Sequence, residues 1–257
     1  MSANDPQFQV SLAQGCADIQ EAQRLRYAVF VQELGADGAG VDHDRLIETD
    51  QYDAHATHLL LKDTARAAGD QVVGVYRLMT SAQATAAGGF YCASEFDLTA
   101  LQSSGRQLLE LGRSCLHADY RGGTAMLHLW AGLSDFVADT GAEVLFGVAS
   151  FHGTDIDTLA EPLSYLAAKH AAEQPLTATA KGDGATAMNI LSPDAIDRKA
   201  AMRAIPALIK AYLRLGGVVG QGAFVDHGFN TTDVCLILDT AQMNARAAAL
   251  YGAGGAV

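Results

Sequence analysis

The sequence predicts an α/β fold of the α+β type, in which helices flank a mixed central sheet. THLLLK (57–62) and QVVGVYRLMT (71–80) are apolar runs joined by a short Gly-containing turn, which predicts an antiparallel hairpin. The apolar runs at 108–116 and 142–151 enclose a helical segment, and this order pairs its strands in parallel or places them close together. A hairpin and a crossover together predict a sheet with strands of both directions.

The segment before the hairpin predicts a strand, a helix and a loop. FQVSLA (8–13) has the composition of a short strand, and Asp18 and Glu21 have the spacing of a helix-capping box. The helix is predicted to run to about Leu34 and to end at Gly35, because glycine commonly follows a helix C-terminus. The polar, carboxylate-rich stretch up to the hairpin predicts a functional or mobile loop, since structureless loops of that length are uncommon.

The helix of the crossover is predicted to be amphipathic. Apolar residues recur at helical spacing on one face, and polar residues occupy the other. The apolar face comprises Met126, Leu129, Trp130, Leu133 and Val137, and the polar face carries His128, Asp135 and Asp139.

The C-terminal part predicts further elements of the same sheet. One helix is predicted over 155–171, and a second is predicted to end with the segment 206–216. Strands are predicted over 217–226 and 232–240. The segment 173–189 is poor in apolar residues, and we interpret it as a possible flexible flap because strands continue beyond it. The whole chain, residues 1–257, is therefore predicted to form a single domain.

Composition excludes several classes of protein. The chain is 49% hydrophobic and 18% charged, and its net charge of −12 argues against nucleic-acid binding, which requires a clustered positive surface. No leader and no apolar run near the ~18 residues that cross a bilayer is visible, so no membrane span is expected, and the cysteine pattern favours a reducing cytoplasm. Four well-separated cysteines indicate neither a zinc site nor a redox motif: Cys16, Cys92, Cys115 and Cys235.

A glycine turn follows the strand predicted over 108–116. Arg121, Gly122, Gly123 and Thr124 open the next helix, where unpaired N–H groups, the helix dipole and missing side chains let a phosphate approach. In acyltransferases of the GNAT type, such a turn holds the pyrophosphate or phosphopantetheine of an acyl thioester. The turn alone is a weak signal, because any tight turn needs glycine.

Ordered blocks along the chain carry a more specific signal. They resemble the acyl-homoserine-lactone synthases and, more closely, the ornithine–acyl carrier protein N-acyltransferases (hemolysin-like acyltransferases) of the GNAT superfamily. The blocks are LRYAVF (25–30), ETDQYD (48–53), THLLL (57–61), VVGVYRL (72–78), LELGR (109–113), ELGRSCLHADYRGG (110–123), LFGVASFHG (145–153), PALIKAYLRLGG (206–217) and FNTTDVCLIL (229–238). The resemblance spans the chain from Leu25 to Leu238.

The resemblance implies a GNAT-type acyltransferase fold and a direct transfer reaction. A 3-hydroxyacyl group would pass from acyl carrier protein to the α-amine of ornithine, giving a lyso-ornithine lipid, with the acyl-phosphopantetheine of the carrier as co-substrate and no other cofactor or metal. Gly35–Ala36 stands where the lactone synthases carry a tryptophan, which favours the amino-acid N-acyltransferases. Transfer to glutamine or another amino acid, lactone synthesis, an acetyl-CoA-dependent GNAT activity and non-catalytic acyl binding remain alternatives.

The resemblance also implies the site residues. The candidate catalytic residues are Glu110, Arg113, Asp53 and Arg26. The candidate substrate-binding residues are Asp50, Arg77, Phe30, Leu116, His117, Arg121, Gly122, Gly123 and Thr124, with backbone N–H groups near Leu116 and His117 serving the oxyanion.

Glu110 is the candidate base. Burial in an apolar strand should raise the pKa of its carboxyl toward the working range of a base, while Arg113 opposes that shift. A buried structural salt bridge among Glu110, Arg113 and Arg77 is the alternative. At i, i+3 on a regular strand, Glu110 and Arg113 face opposite sides, which argues against a direct pair unless a bulge intervenes. Asp53 either holds the acceptor ammonium or braces Arg26.

Two other chemistries are weighed against direct transfer. Cys115 suggests a covalent acyl-enzyme, but a strand cysteine usually belongs to the core and no histidine partner is evident. Asp50, Asp53, His55 and His58 suggest a zinc or iron site of a metallohydrolase, although the two histidines would point to opposite faces of an extended chain.

The partner predicted from the resemblance is itself acidic. A chain of net charge −12 should repel acyl carrier protein unless positive charge is concentrated locally. Residues 190–215 are the most basic segment, so we predict that they dock the carrier or contact anionic lipid heads at the inner membrane face. The basic residues are Arg198, Lys199, Arg203, Lys210 and Arg214, against Asp194 and Asp197.

Overall fold

The computed structural model describes residues 5–243 and forms a mixed α/β fold. In this range the strands are β1 (Phe8–Leu12), β2 (Val41–Asp42), β3 (Ile47–Glu48), β4 (Thr57–Asp63), β5 (Val72–Thr80), β6 (Phe96–Asp97), β7 (Leu108–Leu116), β8 (Val144–His152), β9 (Thr179–Ala180), β10 (Ala185–Thr186), β11 (Val218–Val219), β12 (Ala223–Asp226) and β13 (Thr231–Asp239). The α-helices are α1 (Cys16–Arg26), α2 (Ser81–Ala87), α3 (Thr99–Ser103), α4 (Ala125–Thr140), α5 (Ala160–Lys169), α6 (Arg198–Ala204) and α7 (Ala207–Leu215). Searched over this range, the chain has no helix of the length and apolarity that a bilayer span requires.

The chain divides into two compact units that interleave along the sequence. Among the described residues, the first unit comprises 5–87 and 111–141, and the second comprises 88–110 and 142–243. The chain passes between them inside β7, between Glu110 and Leu111.

The first unit contains the predicted hairpin. β4 and β5 pair antiparallel with a register shift between Leu61 and Lys62, and β1 adds to the other edge of β4, also antiparallel. The N-terminal strand and the hairpin are therefore confirmed. Helix α4 packs closely on this sheet. Its Gly132 permits this approach, since a Cβ at that position would lie only 2.4 Å from Cγ1 of Val10.

The first helix is built differently from the prediction. After Arg26 it continues as a π-helix, Tyr27–Glu33, and Gly35 follows in the left-handed region with φ of +77°. The predicted capping box is wrong: Gly15 is the N-cap, and the carboxylates of Asp18 and Glu21 accept from backbone N–H groups before the helix and at the start of β5. Asp18 also pairs with the ammonium of Lys62 at 2.6 Å.

The second unit contains the predicted parallel pair. Leu108, Leu109 and Glu110 of β7 pair in parallel with the first residues of β8. β8 then pairs antiparallel with β13 along its whole length, β13 with β12, and β12 with β10. Both directions of pairing occur, so the prediction of a mixed sheet is confirmed.

The helical boundaries and the flap of the second unit differ from expectation. The helix predicted over 155–171 is shorter, Ala160–Lys169, and the helical region up to 216 is split into α6 and α7. The segment 173–189 carries β9 and β10, and its residues Thr177, Ala178 and Met188 are buried. Its mobility, like the single domain, stays a prediction.

Candidate functional site

A buried guanidinium lies at the junction of α1 and the π-helix in the first unit. Arg26 is 0% exposed, and its Nε donates to Oε2 of Glu48 while its Nη1 donates to Oδ1 of Asp53 at 2.7 Å. The aliphatic neighbours of Arg26 on the helix pack in the core, and this packing holds in place the helix that carries the guanidinium. Glu48 ends β3, the second strand of a short hairpin in the predicted loop 35–56.

Two further arginines complete the network. Nη1 of Arg77, on β5, donates to Asp50 and, at 3.0 Å, to Asp53. Arg113, on β7, lies 3.3 Å from Oε1 of Glu48 and donates to Oδ2 of Asp50 at 3.0 Å. The three arginines and three carboxylates therefore balance in charge within one unit.

Burial and charge act in opposite directions on this network. Burial alone would raise the pKa of the Asp53 carboxyl, but Arg26 and Arg77 outweigh it and hold that pKa well below its usual value. Burial lowers the pKa of Arg26, yet Glu48 and Asp53 raise it further, so the guanidinium stays charged. Burial lowers the pKa of His58, whose Nε2 lies 3.0 Å from the Asp53 carbonyl oxygen.

The backbone conformation of Arg113 departs from that of a regular strand at the point where β7 contributes this side chain to the network. Arg113 has φ of +50°, a left-handed conformation that is unusual for a residue with a side chain. The regular alternation that separates i from i+3 therefore does not hold at this residue.

Glu110 is buried in the second unit and is held by backbone donors. The N–H groups of Tyr91 and Cys92 donate to its two carboxylate oxygens at 3.0 and 2.6 Å. Both donors belong to the 3-10 helix Tyr91–Ser94, so this helix fixes the orientation of the carboxylate. The role of Glu110 as base stays a prediction. The alternative of a buried salt bridge among Glu110, Arg113 and Arg77 also stays a prediction.

The glycine turn is exposed and is tied to the preceding strand. Arg121 donates from Nε and Nη2 to the Leu116 carbonyl oxygen and pairs with Glu33 at 2.7 Å. Gly122 has φ of +78°, which a side chain would strain, and residues 121–124 are exposed. Of the other predicted binding residues, Phe30 packs against the core cluster of α1, and the N–H of His117 donates to the Val73 carbonyl oxygen.

The alternative chemistries receive no support from the geometry. Asp50 and Asp53 face guanidinium groups, which would repel a metal cation, and His55 is exposed while His58 is buried. Burial raises the pKa of the Cys115 thiol to about 12. A thiolate at that position is therefore scarce at neutral pH.

Comparison with known proteins decides the family. Residues 25–131 match the model of an acetyltransferase (GNAT) domain. The L-ornithine N(alpha)-acyltransferase of Rhodobacter capsulatus is 49% identical over 253 residues, which are 98% of this chain and 97% of that protein. The protein of the same name from Brucella abortus is 39% identical over 250 residues, 96% of this chain and 89% of that protein. The chain belongs to the L-ornithine Nα-acyltransferase family.

Solved structures agree with this family at the level of the fold. The acyl-homoserine lactone synthase LasI aligns with a TM-score of 0.50 at 16% identity, covering 98% of each chain. The CoA-dependent lactone synthase BjaI aligns with a TM-score of 0.51 at 17% identity, covering 97% of this chain and 90% of that one. At these identities the likeness shows the fold alone. The predicted GNAT-type fold, the family and the acyltransferase class are thus confirmed.

One residue of the network was missed by sequence reasoning. Glu48 opens the block ETDQYD, yet an acid in a polar loop normally indicates only a solvated side chain. In this acyltransferase it is 1% exposed and links Arg26 to Arg113. Its position two residues before Asp50, in the same block of resemblance, is the feature of the sequence that could have indicated its role.

The predicted carrier-docking residues lie on α6 and α7 of the second unit. Arg198, Lys199, Arg203 and Arg214 are exposed, as a docking role requires. Lys210 is half-buried and donates to the Met202 carbonyl oxygen at 3.2 Å.

Proposed function

We propose that this enzyme transfers a 3-hydroxyacyl group from acyl carrier protein to the α-amine of ornithine, giving a lyso-ornithine lipid. The observation that carries the proposal is the identity of 49% with an L-ornithine N(alpha)-acyltransferase over almost the whole chain. The co-substrate is the acyl-phosphopantetheine of the carrier, and the reaction uses no other cofactor.

Glu110 is the proposed base for the attacking amine. Aminolysis of a thioester requires a neutral amine, so a fixed carboxylate within hydrogen-bond reach accelerates the reaction. The two backbone donors to Glu110 keep its oxygens in place. No reorganisation of this side chain is then needed when the substrate binds.

The arginine network is the proposed binding and positioning frame of the acceptor site. Asp53 accepts from Arg26, Arg77 and Gln23, which favours bracing of Arg26 over a contact with the acceptor ammonium. Arg77, Arg113 and Asp50 lie at the edge of the same network, with Asp50 more exposed than Asp53. We therefore assign substrate contact to Arg113 and Asp50, and positioning to Arg26 and Asp53.

Direct attack on the thioester is the proposed mechanism. The amine nitrogen forms the amide bond, the carbon–sulfur bond breaks, the pantetheine thiolate leaves, and the amine proton passes to Glu110. An acyl-enzyme on Cys115 would require a thiolate that its raised pKa disfavours. The exposed turn 121–124 is the proposed site of the phosphopantetheine arm. The N–H of His117 already donates to the Val73 carbonyl oxygen, so the oxyanion role predicted near Leu116 and His117 is not assigned to that group.

The exposed basic residues of α6 and α7 are the proposed docking site of the carrier. Their positive charge offsets, locally, the net charge of −12 that would otherwise repel an acidic partner. We place the enzyme in the cytoplasm, with peripheral contact at the inner membrane face.

The test is a matrix of acyl donors and amino-acid acceptors. Purified enzyme is given 3-hydroxyacyl carrier protein, the matching acyl-CoA or acetyl-CoA, each with ornithine, glutamine or lysine, and thiol release and product mass are followed. We expect turnover with the carrier-bound donor and ornithine, and fragmentation that places the amide on the α-nitrogen. A higher kcat/KM with acetyl-CoA, or with glutamine as acceptor, contradicts the proposal.

A further inference from the structure

Three carboxylates from distant parts of the chain converge in the second unit. Glu95, Asp226 and Asp233 each place an oxygen within 4.8 Å of the others'. Glu95 and Asp233 are 4% and 2% exposed, and Asp226 is half-buried. None of the three is used in the proposed acyl transfer.

The pairing of β12 with β13 places Thr231 on the same face of the sheet as two of these acids. Asp226 lies directly opposite Thr231, and directly opposite residues share a face of the sheet. Asp233 is two residues beyond Thr231 on the same strand and therefore shares that face too. Thr231 is 7% exposed, and within the described range no hydrogen-bond partner reaches its Oγ1.

The set of atoms fits a hard divalent cation. Three carboxylates supply oxygen ligands and negative charge, and the buried hydroxyl adds a neutral oxygen. Oxygens that share one Ca²⁺ lie up to about 5 Å apart, because each is about 2.3–2.6 Å from the ion, whereas Mg²⁺ demands a tighter set. The carboxylate of Asp226 is already oriented, since its Oδ1 accepts from the N–H groups of Gly228 and Phe229.

A cation at this position would act on the helix that holds Glu110. Glu95 directly follows the 3-10 helix Tyr91–Ser94, and its N–H donates to the Cys92 carbonyl oxygen at 3.2 Å. The other end of that helix supplies the two N–H donors to Glu110. A ligand bond at Glu95 therefore restrains the chain that positions the Glu110 carboxylate.

We propose that Glu95, Asp226 and Asp233, with the hydroxyl of Thr231, bind a hard divalent cation, Ca²⁺ before Mg²⁺, and that this cation anchors the helix Tyr91–Ser94. The site is independent of the acyl donor and acceptor. Binding of the metal alone to the protein alone tests it, so its failure is distinguishable from failure of the proposed function.

The experiment measures Ca²⁺, Mg²⁺ and Mn²⁺ binding to chelator-treated full-length protein by calorimetry and thermal unfolding. We expect one Ca²⁺ per chain and a rise in Tm of about 5 °C at a saturating concentration. Asp233→Asn and Glu95→Gln should each weaken binding at least tenfold, about 1.4 kcal/mol, through the lost ligand charge. Glu173→Gln, which removes an exposed acid of the same unit, is the matched control and should bind like the wild type.

Two signatures separate a ligand site from general destabilisation. The Ca²⁺-dependent rise in Tm should disappear in Asp233→Asn and persist in Glu173→Gln, although both variants remove one negative charge from the same unit. In the wild type, Ca²⁺ should slow hydrogen exchange of the peptide that contains Tyr91 and Cys92.

The proposal is overturned by the absence of saturable binding, or by binding that both acid variants retain. Thr231→Val, which keeps volume and charge, should weaken Ca²⁺ binding even if an acid variant fails to fold. Stabilisation by propylamine or ornithine but not by Ca²⁺, lost in Asp233→Asn, would identify an ammonium site and reject the metal. Unchanged exchange at Tyr91 and Cys92 would reject the anchoring.

Discussion

Each unit contains a group of three acids that are largely removed from solvent, and the two groups differ in what surrounds their negative charge. In the first unit, Glu48, Asp50 and Asp53 face three guanidinium groups from a helix and two strands. In the second unit, Glu95, Asp226 and Asp233 lie together, and Thr231 shares the face of the sheet that carries Asp226 and Asp233. The first group is balanced by guanidinium groups of the same unit, whereas the second is the group for which we propose a cation from solution. The contrast shows that the burial of an acid does not by itself indicate whether the acid is structural or binds a ligand. The groups that surround its charge must be identified as well.

Removal of one guanidinium should break the first group and have the largest effect. Arg26→Met keeps the aliphatic length but leaves Glu48 and Asp53 buried without it, so we expect a loss of about 3–5 kcal/mol in the free energy of unfolding. Urea denaturation measures the change. Arg45→Met is the matched control, because Arg45 and Asp42 form an exposed pair 3.9 Å apart whose loss should cost about 0.5 kcal/mol or less. Equal losses in the two variants would contradict the compensation described for the network.

Neutralising Glu110 tests an acid that is held by backbone donors rather than by arginines. Glu110→Gln retains shape but cannot take a proton, so we expect kcat to fall at least about 100-fold, roughly 2.7 kcal/mol. Thiol release from 3-hydroxyacyl carrier protein with ornithine measures it, with Glu173→Gln as control. A rate within threefold of the wild type would remove Glu110 from the mechanism.

The pH dependence of stability should sharpen the comparison. The folded-state pKa of Asp53 lies below the usual value of about 3.9, so its contribution is complete above that value and is lost as pH falls toward the folded pKa. We expect Asp53→Asn to cost about 2 kcal/mol at pH 7 and progressively less below pH about 4. Denaturation curves from pH 7 to pH 3 measure this difference. A cost that is constant over that range would show that the charge of Asp53 is not what stabilises the network.

Exposed charges should give the smallest effect. Reversal of Arg198, Lys199 and Arg203 to glutamate is expected to raise KM for acyl carrier protein about tenfold, roughly 1.4 kcal/mol, and to make that KM less sensitive to salt. Turnover of a short acyl-pantetheine should not change, since it lacks the carrier. An unaltered KM for the carrier would reject docking on α6.

Local patterns in the sequence predicted much of the fold. The hairpin and the amphipathic α4 follow from patterns within one segment, and the parallel start of β7 and β8 follows from the order strand, helix, strand. The capping box failed because the carboxylates of Asp18 and Glu21 bond to backbone outside the helix turn that their spacing suggests.

The sequence predicted most of the network residues that lie in the blocks shared with the acyltransferase family. Arg26, Asp50, Asp53, Arg77 and Arg113 were named from the resemblance, and they do meet in one network. The burial of Glu48 depends on contacts with a helix and a strand far away in the sequence, and the left-handed backbone of Arg113 has no signature in the residue type. The group formed by Glu95, Asp226 and Asp233 likewise joins two paired strands with a residue that follows a 3-10 helix, and the three separate segments do not disclose this arrangement.

The passage of the chain between the units inside β7 limits how this protein can be divided. Each unit is assembled from separate stretches of sequence, and the peptide bond between Glu110 and Leu111 belongs to both. No single cut of the gene yields a fragment that encodes either unit alone. Exchange of a unit between relatives would therefore require several simultaneous crossovers, one of them inside the ELGR block.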